Sequence, residues 1–191
     1  MKIMEPDFKH FDGDARTWVL VGEYEASNQA TLDVELPEGY WSYILILDDL
    51  LTSSDGDVGY MRTSMDGGVN FDVGSADYAW VVDSGDASMV RGADLADTEI
   101  ELTQVNDKCG NVAGEGFTGI IDIYNGGSSN SSFMGRTYLK HRDETAEPVG
   151  SMPFATTCYF MRIGLGRVTH VQFLFATGNV ASGTVKVYGL R

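Results

Sequence analysis

The residues from Val168 to Leu190, VTHVQFLFATGNVASGTVKVYGL, constrain the fold more than any other stretch of the chain. Val171, Phe173 and Phe175 alternate with Gln172 and Leu174, the period-2 pattern of a strand with one buried face. Residues 176–183 then supply small side chains, with Gly178-Asn179 and Ser182-Gly183 pairs that tolerate the positive φ a chain reversal requires. Val185 and Val187 alternate with Thr184, Lys186 and Tyr188 in a second strand. The stretch reads as a hairpin whose closing strand is held inside a sheet by pairing.

Similar segments recur along the chain. Trp18, Leu20 and Gly22 alternate with Val19 and Val21, and Leu32 and Val34 with Thr31, Asp33 and Glu35. Pro37-Glu38-Gly39 is a turn with Pro preset at its second position. Tyr40 to Leu47 is a fuller apolar run, as expected of a central strand. Val58 to Ser64 is a further strand, closed by the hairpin-type signal Asp66-Gly67-Gly68. Apolar character resumes at Tyr78, Ala79 and Trp80. Glu99 to Leu102, Gly116 to Tyr124, Ser132 to Lys140 and Cys158 to Ile163 complete the set, with a charged loop over residues 142–153. Asp83 to Asp97 reads as a short helix around Ala93 to Ala96 or as a surface loop.

About ten short strands with no convincing amphipathic helix predict an all-β chain. Two packed antiparallel sheets, in a jelly-roll-like sandwich over residues 17–191, are the economical solution because each strand offers one apolar face. A chain of 191 residues fits one such domain and buries roughly 70% of its unfolded surface. Its 23 glycines and 4 prolines suit many short loops. Residues 1–16, MKIMEPDFKHFDGDAR, form a polar N-terminal arm whose Phe8 and Phe11 are candidates to dock on a neighbour or on the domain itself.

The 28 acidic and 13 basic residues give a net charge of −15. Nucleic acid and anionic membranes bind clusters of Lys and Arg, and this sequence has none, so neither is an expected partner. Dispersed acidic residues of this kind keep a protein soluble. The N-terminus lacks a signal peptide's apolar core, and the longest aliphatic run, Ile44 to Leu47, is far too short to span a bilayer. A soluble protein made in a cytoplasm is expected. Cys109 and Cys158 are the only cysteines and stand in no Cys-x-x-Cys; they read as two buried free thiols, with a single disulfide left open.

Little in the sequence points to catalysis or cofactors. Gly114-Glu115-Gly116-Phe117-Thr118-Gly119 matches GxGxxG by letters, but strand-like Ile120 to Tyr124 follows where a dinucleotide site needs a helix. Asp48, Asp49, Asp55 and Asp57, with Asp66 and Asp72, gather carboxylates on adjacent loops. Asp55, Asp57 and Asp66 are the weak candidates for a cation, against the reading that they cap turns. His10, His141 and His170 fall in the arm, a charged loop and a strand, and no Gly-x-Ser-x-Gly or His-Glu-x-x-His is present. Carboxylate pairs suited to glycoside cleavage are defined by spatial separation and arise by chance in so acidic a chain. Tyr40, Trp41, Tyr43, Tyr78 and Trp80 could line a carbohydrate platform, though such residues more often serve a core or an interface.

Three stretches taken together resemble a family of small structural proteins of tailed bacteriophages and prophages. They are Leu36-Pro37-Glu38-Gly39-Tyr40 running into Ser42 to Leu47, Met61 to Gly68 continued by Gly74 to Trp80, and Phe173-Leu174-Phe175 followed by Gly178 to Thr184 and Tyr188-Gly189-Leu190. Asn111 to Gly116 also fits, and the likeness runs from about residue 28 to the end, leaving out the arm and Asp83 to Asp97. The resemblance implies a β-sandwich component exposed on a virion, with no catalytic or cofactor residue to carry over. A head decoration protein bound to the major capsid protein is the leading expectation, with a homotrimer by analogy. A tail-fibre module whose loops near Asp55, Asp66 and Gly178 touch a host surface glycan is the runner-up, and a glycan-acting enzyme comes third. Phe8, Phe11, Tyr78 and Trp80 are the candidate partner-binding residues.

Overall fold

The computed structural model describes residues 17–85, 90–103, 108–125, 133–141 and 154–190. Among them the chain is all-β, with twelve strands where about ten were expected. These are β1 (Trp18–Glu25), β2 (Thr31–Glu35), β3 (Ser42–Thr52), β4 (Gly59–Ser64), β5 (Tyr78–Gly85), β6 (Val90–Asp97), β7 (Ile100–Glu101), β8 (Phe117–Asn125), β9 (Phe133–His141), β10 (Phe154–Arg162), β11 (His170–Phe175) and β12 (Val180–Leu190). They form two antiparallel sheets, of eight strands in the order β1-β12-β3-β8-β9-β10-β5-β6 and of four in the order β2-β11-β4-β7.

Within that order, β1-β12-β3-β8 and β2-β11-β4-β7 are two four-stranded sheets between which the chain steps repeatedly, β1 to β2, β3 to β4, β7 to β8 and β11 to β12. This is the jelly-roll arrangement. The hairpin β5–β6 and the pair β9–β10 add four strands to one side of the larger sheet.

Three sequence expectations are corrected. Val168 to Leu190 is not a hairpin: β11 pairs with β2 and β4, β12 pairs with β1 and β3, and residues 176–179 carry the chain between sheets. Asp66-Gly67-Gly68 likewise closes no hairpin, since β4 lies in the small sheet and β5 in the large one. The turn chemistry was real, but glycines that reverse a chain do not say which sheet receives the next strand. The segment around Ala93 to Ala96 is strand rather than helix or loop, because β6 pairs with β5 from Ser84↔Val90 to Tyr78↔Asp97. Backbone pairing there overrides the helical preference of the small residues.

The core lies between the sheets. Tyr43, Leu45 and Leu47 on β3, Ile121 and Ile123 on β8, and Val185 and Val187 on β12 face Leu32, Val34, Met61, Val171 and Phe173 of the small sheet. Burying each such side chain contributes about 1.5–3 kcal/mol before the ordering of the chain is set against it. Polar contacts fix the layers. Thr63 donates its backbone N–H to the Tyr78 hydroxyl at 2.8 Å, and that hydroxyl donates to the Asp72 carbonyl at 3.1 Å. Asn125 donates to the Val168 carbonyl at 2.6 Å and accepts the Val168 N–H at 3.1 Å. Both thiols, Cys109 and Cys158, are free and buried, and burial pushes their pKa values upward.

Candidate docking face

The alternation that buries one face of the large sheet leaves its other face bare among the described residues. A polar outer face is the usual outcome for an antiparallel sheet. Here the outward positions carry Ile120 and Tyr124 on β8, Met134 and Tyr138 on β9, Tyr159 and Met161 on β10, Ala79 and Val81 on β5, and Leu95 on β6. Leu95 is 76% exposed, Tyr159 52% and Tyr124 50%. A groove of about 730 Å³ crosses this face at one end of the sheet, from Trp18 on β1 to Leu95 on β6, and every one of the eight strands contributes to its wall. Apolar side chains gathered along a groove in this way have the chemistry of a docking surface.

The groove's charged groups are one pair. Arg136 and Asp122 stand opposite one another across β8 and β9, with Nε 3.1 Å from Oδ2, and the carboxylate raises the pKa of the guanidinium. Arg136 also lies 5.1 Å over the Tyr138 ring. Solvent screens an exposed pair of this kind. The pair contributes orientation more than affinity. The remainder of the surface offers flat rings and flexible Met side chains, which suit an apolar partner of irregular shape.

The structure redistributes the sequence candidates. Tyr78 is 0% exposed, and its hydroxyl is spent on the Thr63 and Asp72 backbone, so it is a core residue and touches no partner directly. Trp80 points inward at 7% exposure, donates Nε1–H to Asp97 at 3.0 Å, and meets the groove only along its floor. Phe8 and Phe11 lie outside the described residues. The five aromatics proposed as a platform do not form one, because Tyr43 is buried, Tyr40 packs against the core and only Trp41 is well exposed.

Two cation candidates have other work. Asp57 is buried and its carboxylate accepts from the N–H groups of Val58, Thr177 and Gly178 and from the hydroxyls of Thr52 and Thr177, at 2.7–3.2 Å. It ties the loop before β4 to the crossover after β11. Asp66 accepts from the Asn70 backbone and amide and from Ser64, which together hold its pKa down at about 2. Asp55 is exposed. Among the described residues no three acidic, His or Cys side chains gather as a metal would need. Asp48 and Asp49 lie within β3 rather than on a loop, at an irregular register where Asp49 takes φ of 48°. The Asp49 carboxylate accepts from Gly114 and Gly116 N–H at 2.9 and 3.0 Å, and a Cβ on Gly116 would strike Asp49. Close packing on Asp49 therefore explains the second glycine of the GxGxxG-like run, and a strand, β8, follows it.

His141 also differs from expectation. It ends β9 inside the body, not in a charged loop, and burial lowers its pKa to about 4. Its Nδ1–H donates to the Lys108 carbonyl at 3.2 Å, so Nε2 accepts from the Thr156 hydroxyl at 2.9 Å. His170 is half-buried on β11, beside Gly68.

The outer face had a signal that alternation alone concealed. Ile120-Ile121, Tyr159-Phe160-Met161, Phe133-Met134 and Tyr138-Leu139 place apolar residues in both phases of their strands. Compared with protein-family models, curated proteins and solved structures, the chain finds no match.

Proposed function

We propose that the chain is a structural protein of a tailed-phage virion, seated on the head as a decoration protein, with the outer face of the large sheet as its docking side. The observation that carries this reading is the apolar groove from Trp18 to Leu95, which has the chemistry of a protein-binding surface rather than of a reaction site. Two further points support it. The three stretches read above as resembling phage structural proteins fit it, and jelly rolls recur in viral capsid domains, an argument by analogy of fold. Identical copies on a particle repeat identical contacts, and a closed ring of three is the assembly in this reading.

A second reading has its own observation. Exposed Trp18, Tyr124 and Tyr159 beside the Asp122–Arg136 pair are also what a sugar-binding surface offers, which suits a tail-fibre module holding a host glycan. Quantitative mass spectrometry of purified particles separates the two. A head protein is present on the order of hundreds of copies, as icosahedral repetition demands, and a fibre module in a handful. Absence of the chain from particles defeats both. For the head protein, Met134→Glu with Met161→Glu lowers occupancy on the particle while the free chain stays folded.

A further inference from the structure

We propose that a second copy of this chain covers the outer face of the large sheet, the two sheets stacked back to back about a two-fold axis. The inference goes beyond the virion reading and stands without it: it concerns the free chain, and on a particle the head would take the second copy's place. Strand register makes the face self-complementary. An unbroken row of paired residues crosses all eight strands, from Leu20 on β1 through Ile44, Asp122, Arg136 and Tyr159 to Ala93 on β6. A second row beside it runs from Trp18 through Tyr124, Met134 and Met161 to Ala79 and holds no charged residue.

The two charged residues of these rows, Asp122 and Arg136, are of opposite sign and belong to β8 and β9, the fourth and fifth of the eight strands. They therefore sit at the middle of the sheet's width. A two-fold axis lying along the strands between them sets β8 of one copy over β9 of the other. Each Asp122 then faces the other copy's Arg136, each Ile44 the other's Tyr159 and each Tyr124 the other's Met134. Because the two rows are neutral, the net charge of −15 is carried elsewhere on the chain. Area agrees. Seven steps between eight neighbouring strands, at about 4.8 Å each, make a width of roughly 34 Å. With a third row through Ile46, Ile120 and Tyr138, and about 6.8 Å from row to row, the face is roughly 20 Å deep. That makes roughly 700 Å² per copy, close to the ~800 Å² each partner contributes to a stable interface.

The test is sedimentation of the full chain, alone and as charge-reversed variants. Wild type should be a dimer at high micromolar concentration and dissociate on dilution. Asp122→Arg alone, or Arg136→Asp alone, sets like charges against each other at the centre and should raise the dissociation constant at least about tenfold. Mixing the two variants should restore the dimer, now with one copy of each, because every base again faces an acid. Both side chains are open to solvent, so neither change reaches the core, and circular dichroism checks that each variant is folded. Met134→Glu should weaken the wild-type dimer to a similar degree. A wild-type chain that stays monomeric or forms trimers overturns the proposal, and so does a dimer that the mixture of folded variants fails to restore. A monomeric chain that nonetheless decorates particles keeps the virion reading and sinks this one; a dimer absent from particles does the reverse.

Discussion

The two faces of the large sheet are built from the same strands and end in opposite conditions. On β8, Ile121 and Ile123 point inward and are buried, while Ile120 and Tyr124 on the same strand point outward. On β10, Phe160 is inside and Tyr159 and Met161 are outside. Residue type hardly distinguishes the faces; the presence of the four-stranded sheet on one side does. Burial is thus set by which layer stands opposite a side chain rather than by the side chain's own polarity.

The comparison breaks if inner and outer substitutions cost alike. The largest expected effect is inside: Phe173→Ala removes a fully buried ring and should cost about 3–5 kcal/mol in denaturant unfolding. The next is acid sensitivity from His141. Its folded pKa of about 4 lies below the unfolded value near 6.5, so the unfolded chain takes up the proton first as pH falls. Its contribution is complete above pH 6.5, declines between 6.5 and 4, and is constant below, a loss of about 3 kcal/mol. Comparing wild type with His141→Gln across that window isolates the slope, and parallel curves would refute it. Third comes Asp57→Asn, which turns an acceptor of five donors partly into a donor and should cost about 2 kcal/mol. Smallest is the outside: Leu95→Glu should change stability by no more than about 0.5 kcal/mol while abolishing apolar dye binding at the groove. A large loss of stability there would mean that the outer face is core after all.

Much of the body was legible. Alternation located β2, β3, β4, β8 and β11 within a few residues, because inward and outward positions differ in polarity wherever a strand has one wet side. It missed β6, where Arg91-Gly92-Ala93-Asp94-Leu95-Ala96 has no period and a place at the sheet edge demands none. It placed β1 correctly, although Trp18, Val19 and Leu20 are all exposed and the alternation by letter there marks no buried face. Sheet membership was illegible for a different reason. The Gly178-Asn179 turn looks the same whether the next strand pairs with the last or crosses to the opposite layer, and only the Asp57 carboxylate, 120 residues away from Thr177 in sequence, shows which is happening. The docking face escaped because a two-phase apolar strand reads as a central strand, buried on both sides.

One consequence follows from the strand order. β4 and β7 already pair with each other, so the β5–β6 hairpin departs from the small sheet and rejoins it at adjacent points. A hairpin attached in this way has two unequal sides: its inward Tyr78, Trp80 and Val82 belong to the core and β5 pairs with β10, while its outward side chains can be rewritten with the β4–β7 ladder retained. The outward chemistry of β5 and β6 can therefore vary with little constraint from the core, whereas their inward residues cannot.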